Sequence, residues 1–337
     1  MQYSAFINDK LENMKKILPL SYYNLPYYLK ICFLYLGIFP EDYKIERMRL
    51  IRLWIAEGFV EVRGEMTMEE VAESYLNELI NRSLVQVAKI DDVGRRRECR
   101  LHDLFHFKVK KTKCCRNMAK PISKSLMPIL FNGGVRLLKV LDLRSASLET
   151  LPDEIVKLFH LRYLSLRGTN IKMLSKSISK LENLETLDLK GTYVTELPIQ
   201  ILKLQQLRHL LVYRCGKVYP IYDLYGFRAI PGIEGFSSLQ KLCFIEVNHG
   251  NGRIVVGELG RLTRLKRLGI TKLRREDGIA LCSSLEKLSN LLALSVRSVE
   301  EDEIIDIQHL SSPPRFLQQL YLKGRLEMLP LWISLTH

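Results

Sequence analysis

Two histidines stand four apart in His102-Asp-Leu-Phe-His106, the spacing that puts two imidazoles on one helix face as a zinc pair requires. Zinc proteases built this way also need a glutamate beside the first histidine as general base and a third ligand downstream. Here Asp103 follows His102 and no third ligand is evident, so the pair points to no metal. Phosphate cradling needs the backbone N–H run of a Gly-x-x-x-x-Gly-Lys-Ser/Thr loop. Gly216-Lys217 is followed by Val218, and the chain contains no such loop anywhere. Gly250-Asn-Gly252 lacks a strand–loop–helix context and reads as a turn. Arg95-Arg96-Arg97 has the charge to track nucleic-acid phosphate. Residues 1–112, however, carry 18 Lys+Arg against 16 Asp+Glu, too even a balance for a phosphate-binding face. Catalysis finds no constellation in this chain.

The elements that would position these residues fall into two regimes. In 1–112 the apolar residues follow helical spacing: Leu11 to Leu18, Ser21 to Tyr35 with a break at Pro26, Ile45 to Val60, and Met68 to Arg82 with acids in its first turn. Leu84 to Val87 then alternates as a strand, Asp91 to Arg96 is a polar turn, and Glu98 to Leu101 is a return strand. Helices followed by a β-hairpin describe a small winged-helix domain, with Arg95–Arg97 at the tip of its wing. A short helix over Asp103 to Lys110 leads into a basic linker, 113–130. Lys108, Lys110, Lys111 and Lys113 beside Cys114 and Cys115 read as a flexible connector, with a palmitoylation site the weaker alternative. Trp54, on the apolar stripe of its helix, belongs to the core.

From Leu138 onward leucine keeps a fixed period. Leu-x-x-Leu-x-Leu, with Val212, Ile270 or Val296 as the last residue in three units and only Leu239 and Leu242 in another, starts at Leu138, Leu161, Leu184 and Leu207, 23 residues apart, and resumes at Leu239, Leu265, Leu291 and Leu317, 26 apart. Such a register over eight units is the signature of a right-handed leucine-rich-repeat solenoid with parallel strands on its concave face. The fold class expected is therefore α/β: a winged-helix domain over 1–112 followed by repeats over 131–337, interrupted near 215–236. That interruption carries Tyr219, Tyr222, Tyr225 and Phe227, which either pack on the solenoid or form a contact patch.

Leucines of each strand point into the core, so the residues between them face the concave side. The position after the last core residue forms a column of Arg144, Arg167, Lys190, Tyr213, Thr271, Arg297 and Lys323. One step earlier stand Asp142, Ser165, Asp188, Leu211, Gly269, Ser295 and Tyr321. Parallel strands lie about 4.8 Å apart. Arg144, Arg167 and Lys190 would thus stack as like charges, unless Asp142 and Asp188 or an acidic partner offset them. The candidate binding surface comprises Asp142, Arg144, Arg167, Asp188, Lys190, Tyr213, Arg297, Tyr321 and Lys323. Net charge is +14, with eight of that surplus on the repeats. It favours an acidic partner or serves solubility alone.

The seven cysteines are odd in number and show no Cys-x-x-Cys spacing. The first residues lack a secretory core, and no apolar run approaches the roughly 20 residues of a membrane span. The expectation is a soluble, cytoplasmic protein with reduced thiols.

Five motifs in order carry a family resemblance: Ile17-Leu-Pro-Leu-Ser-Tyr-Tyr-Asn-Leu-Pro26, Leu29-Lys-Ile-Cys32-Phe-Leu-Tyr35, Phe39-Pro-Glu-Asp42, Leu50-Ile-Arg-Leu-Trp54-Ile-Ala-Glu-Gly58-Phe59 and Leu101-His102-Asp103-Leu104. With Leu187-Asp-Leu-Lys-Gly-Thr192 and Glu196-Leu-Pro198 in the repeats, the chain resembles the coiled-coil class of plant NB-ARC leucine-rich-repeat immune receptors. The resemblance implies a defence receptor that is not itself an enzyme. Its repeats would bind pathogen effectors, guarded host proteins or other receptor domains. Its winged helix would belong to an ADP/ATP switch in the intact family. Leu101, His102 and Asp103 match that family's Met-His-Asp motif, whose histidine senses the ADP phosphate, with Leu in place of Met. Two departures matter. The phosphate loop is missing, and His102 lies only 36 residues before Leu138. The expectation is a receptor from which the nucleotide-binding core has been lost, so no cofactor is expected for this chain. The alternatives are a nucleic-acid-binding winged-helix protein and a non-functional or decoy truncated receptor.

Overall fold

A computed structural model describes residues 21–62, 64–91, 96–101, 137–216, 224–247, 250 and 252–334. The chain divides into two compact units, Met1–Lys120 and Pro121–His337. The helices expected over Leu11 to Leu18 and Asp103 to Lys110, the linker, His102, Asp103, His106, Arg95, Tyr219 and Tyr222 lie outside the described residues.

In the first unit the helix Tyr27–Tyr35 follows Pro26 and buries Leu29, Cys32, Phe33 and Tyr35. The helix Arg47–Glu57 buries eight of its eleven residues, Trp54 and Leu50 completely, so it forms the centre of this core. Burial extends to Arg49, whose guanidinium lies over Phe39 and Tyr43 and donates to the Tyr43 hydroxyl at 3.0 Å. Met68–Asn81 starts on a capping box. The Glu70 N–H donates to Thr67 Oγ1, and Glu70 Oε2 accepts from the Thr67 N–H at 2.7 Å. Strand β2 (Val85–Ile90) pairs antiparallel with β3 (Arg96–Leu101) as a hairpin.

One expectation needs correcting here. Ile45 and Glu46, placed by their periodicity at the head of a helix, form strand β1 and pair with Cys99 and Glu98 of β3. Backbone pairing to β3 holds Ile45 extended with its side chain buried, and helical geometry begins only at Arg47. The wing is thus a three-stranded sheet in the order β1-β3-β2.

The second unit is built on parallel strands: β4 (Val140–Asp142), β5 (Tyr163–Ser165), β6 (Thr186–Asp188), β7 (His209–Leu211), β11 (Lys241–Glu246), β12 (Arg267–Leu273), β13 (Ala293–Ser298) and β14 (Gln319–Lys323). Their register aligns Leu141, Leu164, Leu187, Leu210, Leu242, Leu268, Leu294 and Leu320 in one row. Each leucine therefore packs on those of its neighbours, which is how a repeat too small for its own core acquires one. The two periods have a structural correlate. Repeats 23 residues long return through single 3-10 turns at Asp153–Lys157, Lys176–Lys180 and Ile199–Lys203. In the 26-residue class the extra residues extend the return into the two-turn helices Gly252–Leu259 and Gly278–Leu285.

The described end of the aromatic interruption joins the sheet through one short strand. Strand β8 (Arg214–Cys215) pairs antiparallel with β9 (Leu224–Tyr225), and β10 (Phe227–Arg228) runs parallel to the second half of β11. Strand β11 pairs with β7 through its first two residues and with β10 through its last two. Phe227 is fully buried. Gly226 permits the approach, because a Cβ there would lie 2.0 Å from the Phe244 carbonyl oxygen.

Candidate functional site

The face of the sheet opposite the leucine row has two unlike halves. On the first four repeats several residues between the core leucines are buried, Tyr163, Ser165, Thr186, Asp188, His209 and Leu211 among them. Asp188 Oδ1 accepts the backbone N–H of Lys190 at 3.1 Å, and its other oxygen lies 3.7 Å from Lys190 Nζ. Asp142 accepts the Arg144 N–H in the same way at 3.2 Å. These aspartates fold back on the backbone two residues on, as Asx turns do, and part of the basic column is offset internally. Arg144, Arg167 and Lys190 are half-buried. Burial pushes the Tyr213 phenol above its usual pKa, and the nearby Arg167 charge works against that shift.

A second ladder runs along the start of each strand, ahead of the column, where sequence reasoning did not look. Glu185 lies 3.6 Å from Arg162 and 3.9 Å from Arg208, one carboxylate between two guanidiniums from the adjacent repeats. Its signal was available, since all three residues directly follow the leading leucine of their repeats.

On the last four repeats the face is aromatic. Strand β11 carries an irregularity between Leu242 and Ile245, which pair with Leu268 and Ile270 of β12. Two residues, Cys243 and Phe244, thus oppose the single Gly269. Phe244 meets the Tyr213 ring edge-on at 5.9 Å. Arg297 lies between Phe244 and Tyr321, its guanidinium carbon 5.8 and 4.8 Å from the ring centres. Phe244 was missed by sequence reasoning; the clue was the extra residue between Leu242 and Ile245 where other repeats have one. Thr271, expected in the column, is buried and directs its hydroxyl at the Ile245 carbonyl. Lys323 pairs with Glu301 at 3.2 Å.

The wing arginines within the described residues are engaged. Arg97 meets Asp91 at 2.7 Å, Arg96 donates to Asn77 at 3.1 Å, and Arg100 pairs with Asp42 at 2.9 Å. Leu101 of the Leu-His-Asp motif is buried at the end of β3. Among the described residues no three His, Cys, Asp or Glu side chains gather as a metal site, and no helix is long and apolar enough to cross a membrane. The thiols of Cys99 and Cys282 are pushed up by burial to about 12 and about 11, away from nucleophilic or ligating character. Open clefts beside Arg274, lined on one side by Gly252, Arg253 and Asp277, hold one perturbed carboxylate. Asp277 is raised by burial, yet it accepts the Arg274 N–H and serves as a structural cap.

A winged-helix unit followed by a parallel repeat sheet defines a class of repeat-based recognition protein, and comparison with known proteins narrows it. A leucine-rich repeat region matches residues 116–337, and a disease resistance protein winged helix domain matches residues 38–106. The chain belongs to the leucine-rich-repeat disease resistance proteins, of which it carries these two parts. Disease resistance protein RPM1 of Arabidopsis thaliana is 39% identical over 97% of this chain and 40% of its own length. The putative disease resistance RPP13-like protein 3 of the same plant is 32% identical over 47% of this chain and 24% of its own. The ToMV resistant protein Tm-2 netted virescent of Solanum lycopersicum is 46% identical over 27% of this chain and 11% of its own. The chain thus spans less than half the length of these relatives.

Proposed function

We propose that this chain acts in plant defence as a recognition scaffold in the cytoplasm, its repeat sheet binding a protein partner and its winged helix relaying that binding. The partner is a pathogen effector, a guarded host protein or another receptor domain. The observation that carries the reading is the unbroken row of parallel strands, whose far face brings residues from eight repeats into one extended surface. Asp142, Arg144, Arg167, Lys190 and Tyr213 occupy its first half, with buried Asp188 bracing Lys190 from within, and Arg297, Tyr321 and Lys323 its second. Surplus positive charge on the repeats favours an acidic partner and speeds its encounter.

Nucleotide switching is assigned to the intact family and not to this chain alone. Without a Gly-x-x-x-x-Gly-Lys-Ser/Thr loop the chain has no cradle of N–H groups for phosphate. His102 is proposed to sense nucleotide only where such a cradle is supplied. Among the described residues the wing arginines Arg96, Arg97 and Arg100 are engaged, and with the balanced charge of 1–112 this disfavours nucleic acid as the partner of that unit.

The experiment is a sort of yeast-displayed pathogen-secreted and host proteins against the purified chain, repeated with Arg144→Glu, Arg167→Glu and Lys190→Glu combined. Bound partners should lose at least about tenfold in affinity, since a close interfacial charge pair contributes about 1.5 kcal/mol or more. A companion with Lys190→Gln in place of Lys190→Glu avoids setting a second carboxylate against Asp188, and a melting curve checks the fold. Unchanged affinity in the reversed variant contradicts the reading.

A further inference from the structure

Arg297 lacks the carboxylate contact that several lysines of the sheet make. Lys190, Lys272 and Lys323 each meet a carboxylate, at 3.7, 2.8 and 3.2 Å. Among the described residues no carboxylate pairs with Arg297. Its Nε is buried with no hydrogen-bond acceptor, a state that costs stability and is rare in folded proteins. Aromatic rings fix it instead, with Tyr321 on one side at 4.8 Å and Phe244 on the other at 5.8 Å.

Four repeats cooperate to build this clamp. The irregularity in β11 turns Phe244 onto the open face. Gly269 of the next repeat leaves the space that the ring occupies, since a Cβ at 269 would lie 3.0 Å from Phe244 Cδ1. Arg297 follows on the third repeat and Tyr321 on the fourth, its ring half exposed. Tyr213 extends the shelf on the other side of Phe244.

We propose that Arg297 and its flanking rings form a carboxylate-binding subsite, which takes an Asp or Glu side chain from a protein segment with an apolar residue beside it. This rests on the recognition reading above and deepens it by naming the anchor. A guanidinium held between two rings has already lost its rotamer freedom, so binding pays little further ordering cost. Its planar fork matches the two oxygens of a carboxylate, and the rings exclude water from that pair. The exposed face of Tyr321 and the shelf of Phe244 and Tyr213 receive the apolar neighbour. An arginine held for structure alone ordinarily finds its acceptors within the fold, and among the described residues the Arg297 Nε has none.

The test is panning of the full chain against a random twelve-residue peptide library displayed with its C-termini fused, so that only side chains supply carboxylates. Wild-type protein should enrich peptides with an acid next to an apolar residue. The best of these, made synthetically, should bind Arg297→Gln about ten- to hundredfold more weakly, the range of a charge-assisted hydrogen bond. Arg297→Lys keeps the charge without the fork and should recover only part of that loss. Among the described residues the Arg297 Nε has no hydrogen-bond partner to abandon, so both variants should fold, their melting lowered by no more than the loss of the ring contacts. Acidic peptides that bind Arg297→Gln unchanged but lose affinity on reversal of Arg144, Arg167 and Lys190 overturn the subsite and leave the recognition reading standing. Enriched peptides without an acid also overturn the subsite alone. A wild-type protein that enriches no peptide overturns both.

Discussion

Trp54→Ala should cost the first unit about 3–5 kcal/mol, the range for emptying a buried aromatic site. Trp54 is fully buried at the centre of Arg47–Glu57, among Leu50, Ile51, Leu53 and Ile55, all 5% exposed or less. Among the described residues the indole nitrogen has no hydrogen-bond partner, so part of what tryptophan gains by burial is offset by a stranded donor. Trp54→Phe removes that donor along with some volume and should stay within about 1.5 kcal/mol of wild type. Urea unfolding followed by hydrogen exchange at the amides of 50–56 measures both. A Trp54→Ala loss below that of Trp54→Phe would show that this helix is not the centre of the core.

The second large effect separates the middle of the repeat sheet from its end. Leu187 is fully buried with leucines of the preceding and following repeats on either side, Leu164 and Leu210 in register. Leu320 is half-buried and has such a neighbour, Leu294, on one side among the described residues. In a solenoid, stability is a sum of repeat and nearest-neighbour contributions, so a deletion in the middle weakens two interfaces. Leu187→Ala should therefore cost about 3–5 kcal/mol and Leu320→Ala about half of that. Melting curves of the two variants give the comparison directly. Equal losses would mean that the row of leucines is not packed repeat on repeat.

How much of this was legible in the sequence depended on the range of the interactions involved. The repeat strands follow from local spacing, because Leu-x-x-Leu-x-Leu states both the strand and its buried face. Trp54 was equally plain, as an aromatic on the apolar stripe of a helix. Strand β1 was not, since Ile45 continues a helical pattern and its partner Cys99 lies 54 residues away. The fate of the aromatic interruption turned on Gly226 meeting the Phe244 carbonyl, a contact between segments that spacing cannot rank. On the candidate site, the concave column was readable as a list of positions. Which of its charges are offset within the fold was not, for that required seeing Asp188 turn back onto Lys190 and Glu185 stand between Arg162 and Arg208. Phe244 was hidden because its repeat breaks the rule on which the column was built.

The central proposal is that this chain works through its repeat face and does not bind nucleotide by itself. Calorimetric titration of the purified chain with ADP and with ATP, alongside a His102→Ala variant, tests it most directly. The account predicts no binding heat from either nucleotide in either protein. Micromolar ADP binding to the wild type that disappears in His102→Ala would contradict it, and would place a working nucleotide site in a chain without a phosphate loop.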